Sequence, residues 1–292
     1  MFTKILVCVD PFTPNRKLLS CVAFLKQLGA AHVVLGHVIV ADTPGLDKML
    51  LTQARPEMER QKKILEAAGL AVAIEMPVGY PPRALNDLAE THDVSVIVIG
   101  THGRGLLESM TLAGSPLGNV SAKLLQKCRR PVLLVRTAVP DKKEGTDECN
   151  LFTRVLFPTD FSDTAEVALL YLETLVRAIH CPVTLLHVQE DRPLPTLYPG
   201  RRSPDLHKVN AARLHRLQLW LENAGAPEVA MEIVQGGGAG DQIVTMAKAK
   251  GCSLILMGTQ GKGITREILL GSVAHQVARQ AEPPVLFIPM FP

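Results

Sequence analysis

The residues in this chain best suited to chemistry are Gly258-Thr-Gln-Gly261, followed after nine residues by Gly271-Ser272, and the chemistry they suit is holding phosphate. The apolar run Leu254-Ile-Leu-Met257 precedes them and helical spacing begins at Val273, so they lie where a buried strand passes into a helix N-terminus. Glycine admits positive φ and close backbone approach, and the free amides and dipole of a helix start favour an anion. Gly261-Lys262-Gly263 does not follow the Walker A order, and the dinucleotide fingerprint Gly-x-Gly-x-x-Gly does not occur here. No Gly-x-Ser-x-Gly elbow, H-E-x-x-H pair or Cys/His cluster is present, so no catalytic or metal-ligating residue is assigned.

A second, altered copy lies in the first half. Gly100-Thr-His-Gly103 is followed by two candidates for the third glycine, Gly114-Ser115 and Gly118-Asn119. Gly118 lies thirteen positions before Pro131, as Gly271 lies thirteen before Pro284, and this ungapped match selects Gly118. The first loop then has fourteen intervening residues instead of nine, and Asn119 stands in place of the serine. Extra length costs little closure entropy, about 0.6 kcal/mol per doubling. The objection is geometric, since a longer loop need not return its amides to one phosphate. The first half is therefore expected to bind in altered form or not at all.

The elements that must position these loops recur in order. Lys4–Asp10 matches Arg154–Asp160, and His32–Val38 matches Pro182–Val188; Ser95–Gly103 matches Ser253–Gly261, and Arg130–Val135 matches Pro283–Ile288. The chain is thus read as a duplicated domain, residues 1–137 and 152–292, joined by a polar, aperiodic linker over 138–151. Strands are expected near 4–9, 33–39, 72–76, 95–99 and 131–135, and again near 154–158, 182–188, 229–234, 253–257 and 284–288. Helices are expected near 15–28, 47–68, 82–91 and 118–128, then 163–179, 204–223, 240–249 and 272–281. Short apolar runs alternating with helical spacing describe two tandem α/β domains, each a doubly wound five-stranded parallel sheet binding its ligand beyond the strand carboxyl ends. Leu206, Val209, Leu214, Leu217, Trp220 and Leu221 form the expected buried stripe of one helix, which assigns the lone tryptophan to the core.

Composition narrows the function classes. With 47% apolar and 20% charged residues in 292 positions the chain is globular, and a net charge of +3 gives no support to nucleic-acid binding. Six cysteines without a C-x-x-C pair are expected to be reduced thiols. No signal-peptide pattern and no membrane-length apolar run are seen, so a cytoplasmic, soluble protein is expected, with no membrane partner. His37 and His187, inside apolar strands, are read as satisfied core histidines. Gly236-Gly-Gly-Ala-Gly240 is read as a turn before a helix, with a second phosphate loop as the alternative.

Val-Cys-Val-Asp10, Pro158-Thr-Asp-Phe-Ser162, His187-Val188 and Met257-Gly-Thr-Gln-Gly261-x9-Gly271-Ser-Val273 together resemble the universal stress protein family in its tandem form. The resemblance spans the chain apart from the linker and segments near 41–60 and 189–203, and the last motif fits the family's ATP signature Gly-x2-Gly-x9-Gly-Ser/Thr. It implies ATP or AMP, with Mg2+, as ligand. Carried over by position, Asp160 and Val188 would hold the nucleoside, and Gly258, Gly261, Gly271, Ser272 and Val273 the phosphates, with Gln260 and Lys262 as auxiliaries. The counterparts in the first half are Asp10, Val38, Gly100, His102, Gly103, Arg104, Gly118 and Asn119. Phe161 departs from the glycine that many nucleotide binders of the family carry after the aspartate.

The resemblance further implies antiparallel pairing of the final strands, Val132–Val135 with Val285–Ile288, and assembly into homodimers. The expected function is a stress-response regulator binding adenine nucleotide through its second half and acting on a protein partner of unknown identity. The alternatives are a ligandless interaction scaffold of the same fold and a weak ATPase.

Overall fold

A computed structural model describes residues 1–13, 16–101, 117–127, 129–137, 149–189, 205–261 and 270–290. In chain order the first half forms β1 (Lys4–Cys8), α1 (Arg16–Phe24) with a 3-10 turn at Leu25–Leu28, β2 (His32–Gly36), α2 (Leu46–Ala67), β3 (Ala71–Glu75), α3 (Pro81–Thr91), β4 (Val96–Gly100), α4 (Asn119–Lys127) and β5 (Val132–Val135). The second half repeats the pattern with β6 (Val155–Pro158), α5 (Asp163–Ile179), β7 (Val183–Gln189), α6 (Leu206–Asn223), β8 (Val229–Gln235), α7 (Ala239–Ala249), β9 (Leu254–Gly258), α8 (Ser272–Gln280) and β10 (Val285–Ile288).

The strands form one ten-stranded sheet in the order β3-β2-β1-β4-β5-β10-β9-β6-β7-β8. Every pairing is parallel except β5 with β10, where Leu134 lies opposite Val285 and Val132 opposite Phe287. The antiparallel seam covers two apolar edges that would otherwise be open to pairing with other chains. Strand residues alternate between two cores. Ile5, Val7, Val155 and Phe157 join the layer carrying α1, α2, α5 and α6, while Leu6, Cys8, Leu156 and Met257 join that of α3, α4, α7 and α8. Both cores draw residues from both halves, so the sheet is buried on two faces, as its continuous apolar runs require.

Aromatic contacts repeat the seam's near symmetry. Phe2 stacks on Tyr171 of the second half with ring centroids 6.2 Å apart, and Phe152 meets Phe24 of the first at 6.4 Å. Helix α5 shows how local sequence sets such an element. Ser162 caps it by accepting from the Ala165 amide at 3.3 Å, and Asp163 and Glu166 oppose the dipole in the first turn. Ala165, Ala168, Leu169, Leu172, Leu175 and Val176 form its buried stripe, and His180 ends it in the left-handed conformation at φ 53°.

Two expectations need correction. Cys21 and Cys149 form a disulfide, so the six cysteines are not all reduced; Cys8, Cys181 and Cys252 are buried and not disulfide-bonded. The pair is 128 residues apart in sequence, and only the return of the chain against α1 brings it together. At the end of the expected linker, Cys149 and Leu151 are buried at 3% and 1% exposure. Trp220 is not core. It is 44% exposed, as Val209 is 38% exposed, because α6 turns Asn210, Leu214 and Leu221 to the sheet instead.

Candidate functional site

The carboxyl ends of β6, β7 and β9 open onto a cavity of about 430 Å³. It lies at the point where successive connections leave for opposite faces of the sheet, the usual ligand site of such folds. Asp160, Val188, Gly258, Gln260, Gly261, Gly271, Ser272 and Val273 all line it, so the structure brings these eight sequence-selected positions to one place. Lys262 lies outside the described residues.

Asp160 follows the end of β6, and its Oδ1 accepts from the Ser162 amide at 3.0 Å. Between them Phe161 takes a left-handed backbone at φ 58°, the conformation for which glycine is the easy choice. Packing holds it there. The Phe161 ring lies 4.7 Å from that of His187 and under the Arg213 guanidinium at 5.2 Å. His187 is a satisfied core histidine, its Nδ1 2.8 Å from the Thr159 carbonyl and its Nε2 3.1 Å from Asn210 Nδ2. His37 in the first half has Nδ1 3.1 Å from the Val9 carbonyl, and burial pushes its pKa below the usual imidazole value.

None of Gly258, Gly261 and Gly271 has positive φ, and Gly258 and Gly261 act through close approach. A Cβ on Gly258 would come 2.7 Å from Thr164 Cγ2, so this glycine lets α5 lie against β9. A Cβ on Gly261 would meet Asp160 Oδ2 at 2.7 Å, so the loop folds directly over the carboxylate. Gly271 caps α8, and its amide donates to the Thr259 carbonyl at 2.7 Å.

The two helices that start at the cavity differ electrically. Helix α8 has no side-chain cap and no acid in its first turn, leaving its amides and positive dipole end for a ligand. Helix α7, whose Ala239 also lines the cavity, carries Asp241 in its first turn, with Oδ1 held by Gln276 Nε2 of α8 at 2.6 Å. The segment Gly236–Gly238 is a turn leading into α7, with positive φ at Gly236 and Gly237, and with Asp241 in the first turn it is poorly suited to an anion. Asp160 is the one carboxylate lining the cavity among the described residues.

Sequence reasoning missed Thr159, Gln189, Ala239, Ile243 and Thr259, which also line the cavity. Two carry buried oxygens without a partner, Gln189 Oε1 and Thr259 Oγ1. Thr259 sits inside the glycine motif, and its position there was the available signal; Gln189 follows the selected Val188.

In the first half Gly118 takes the place of Gly271, its amide donating to the Thr101 carbonyl at 2.7 Å. A Cβ there would lie 2.9 Å from that same oxygen. Asn119 is the first helical residue and exposed, while Asp10 Oδ1 accepts from the Phe12 amide at 3.0 Å as Asp160 does from Ser162. Gly100 ends β4 and Val38 is buried beyond β2. His102, Gly103 and Arg104 lie outside the described residues. Ser121, where the second half has Ala274, donates to the Gly100 carbonyl at 2.7 Å. Helix α3 begins Pro81-Pro82-Arg83, which removes two amides and puts a cation where α7 has Asp241.

Comparison with known proteins agrees with this architecture. The model of the Universal stress protein family matches residues 1–136 and 151–289. A universal stress protein of Mycolicibacterium smegmatis is 26% identical over 301 residues, covering 97% of this chain and 96% of its own. Universal stress protein MJ0577 of Methanocaldococcus jannaschii is 28% identical over 156 residues, 47% of this chain and 95% of that protein. The crystal structure of a universal stress protein from Archaeoglobus fulgidus superposes with a TM-score of 0.75 at 23% identity, covering 98% of both chains. With two family matches laid over two copies of one sheet, this chain belongs to the universal stress protein family.

Proposed function

We propose that the chain binds an adenine nucleotide, ATP or AMP, in the cavity of its second half and serves as a regulatory module in a stress response. The observation that carries this reading is the start of α8, uncapped and free of acid, opening into a cavity beside Ser272 and the motif glycines. Phosphate belongs at that end, where amides and a hydroxyl donate. The nucleoside belongs toward β7 and α7, where Asp160 can accept from ribose hydroxyls and Gln189 offers an unpartnered acceptor to a base amino group. The volume falls within the range of small-ligand sites. Mg2+ favours several oxygen ligands, and with Asp160 the one carboxylate on the wall among the described residues it would be held mainly by the phosphates.

Binding without turnover is the activity we assign, because a regulator needs occupancy and not hydrolysis. The scaffold alternative draws on Gly258 and Gly261, whose bare Cα positions packing already explains. Thermal melting separates the two. At 100-fold excess over the dissociation constant, Mg-ATP should stabilise the chain by about 2.7 kcal/mol. An unchanged midpoint in millimolar Mg-ATP and in AMP would reject nucleotide binding. No described helix is long and apolar enough to cross a membrane.

A further inference from the structure

We infer that the Thr259 hydroxyl is a ligand-binding group, donating to the phosphate taken up at the start of α8; the inference rests on the nucleotide reading above. Thr259 is 5% exposed, lines the cavity, and its Oγ1 has no hydrogen-bond partner. Its backbone is fixed on both sides, the amide donating to the Ile288 carbonyl at 2.9 Å and the carbonyl accepting from Gly271 at 2.7 Å. The residue therefore abuts the cap of α8 through its own main chain. Alternation along β9 gives the direction of its side chain. Met257 packs in the core of α7 and α8, Gly258 faces Thr164 of α5 on the other side, and Thr259 returns to the side of α8.

A buried hydroxyl without a partner is unfavourable, and native proteins seldom keep one. Here the partner is supplied by the ligand. Hydroxyls at Thr259 and Ser272 then stand beside the same helix start, and a phosphate oxygen accepts from Thr259 as it accepts from the α8 amides. A ligand lacking phosphate leaves the hydroxyl as it is in the free protein. Discrimination between nucleotide and nucleoside thus resides partly in one side chain that the glycine signature does not include.

Thr259→Val keeps the shape and removes the hydroxyl, and Thr259→Ser keeps the hydroxyl. Dissociation constants for ATP, AMP and adenosine would be measured calorimetrically on the full chain, with melting in the absence of ligand alongside. Expected for Thr259→Val is ATP and AMP binding weakened about tenfold or more. Adenosine affinity should be unchanged, and the ligand-free melting temperature unchanged or raised. Thr259→Ser should keep wild-type affinity. ATP binding by Thr259→Val within twofold of wild type would overturn the inference while leaving nucleotide binding intact. A lowered ligand-free melting temperature would also overturn it, by making the hydroxyl structural. A wild-type chain that binds none of the three would remove the nucleotide reading, and this inference with it.

Discussion

The two halves share strands, order and register, yet they treat the same spot at the sheet's carboxyl edge in opposite ways. In the second half Ala274, an uncapped α8 and the cavity wall leave space, amides and unpartnered oxygens. In the first half Ser121 binds the Gly100 carbonyl, Pro81 and Pro82 replace amide donors, and Lys123 of α4 lies 5.5 Å over the Tyr80 ring that precedes α3. A duplicated fold thus keeps its scaffold while one copy uses its polar groups internally. Fold and ligand site are separable, because the scaffold rests on buried strands and the site on a few residues at their ends.

The largest expected difference is in how each half is tied. The first half is bound covalently to the segment entering β6 through Cys21–Cys149, whereas Tyr171, at the position of Cys21 in the second, makes a noncovalent ring contact with Phe2. Reduction, or Cys21→Ser with Cys149→Ser, should lower stability by about 2–4 kcal/mol in calorimetry. Equal melting with and without reductant would remove this asymmetry. Next is the seam. Arg136 of the first half donates from Nε to the Ala281 carbonyl and from a terminal nitrogen to that of Arg279, both at 2.8 Å, capping the end of α8. Arg136→Ala should cost about 1–2 kcal/mol in urea unfolding.

Positions 274 and 121 differ between the halves by one hydroxyl. Ala274→Ser gives the second half the hydroxyl that Ser121 uses in the first, and should weaken ATP about fivefold while leaving the fold intact. Ser121→Ala should cost about 1 kcal/mol for the lost hydrogen bond and gain no nucleotide affinity. A first half that begins to bind ATP on this change alone would show that Ser121 was its sole obstruction.

The smallest effect is on pH dependence. His37 has a depressed pKa caused first by burial, partly offset by the Val9 carbonyl and Asp10. The unfolded chain therefore takes up a proton at higher pH than the folded one. Its contribution to stability is complete above about pH 6.5 and is lost as pH falls from there through the lower folded value. Melting between pH 7.5 and 5.5 should fall less steeply in His37→Gln than in wild type, and parallel profiles would contradict this.

The fold was legible because its strands are nearly continuous apolar runs and its helices keep a strict stripe, so tertiary context had little to override. Where the stripe was ambiguous, as on α6, the helix turned a polar Asn210 inward to meet His187, a choice hydrophobicity alone could not reveal. The Cys21–Cys149 pair was illegible because spacing does not encode which distant segments meet. The glycines were found, but for a reason the structure changes: Gly258 and Gly261 serve close approach, and the positive φ belongs to Phe161. Thr259 was passed over because a hydroxyl's importance lies in lacking a partner, which only packing can show.

If the second half alone takes up nucleotide, as proposed, ATP bound per chain at saturation separates the halves in wild type, Ser272→Glu and Asn119→Glu. A carboxylate in the first turn favours each helix yet repels phosphate from its start, so folding is spared while binding is not. One nucleotide per chain is expected in wild type and in Asn119→Glu, and none in Ser272→Glu. Two nucleotides per chain, or one that survives Ser272→Glu and disappears with Asn119→Glu, would contradict it.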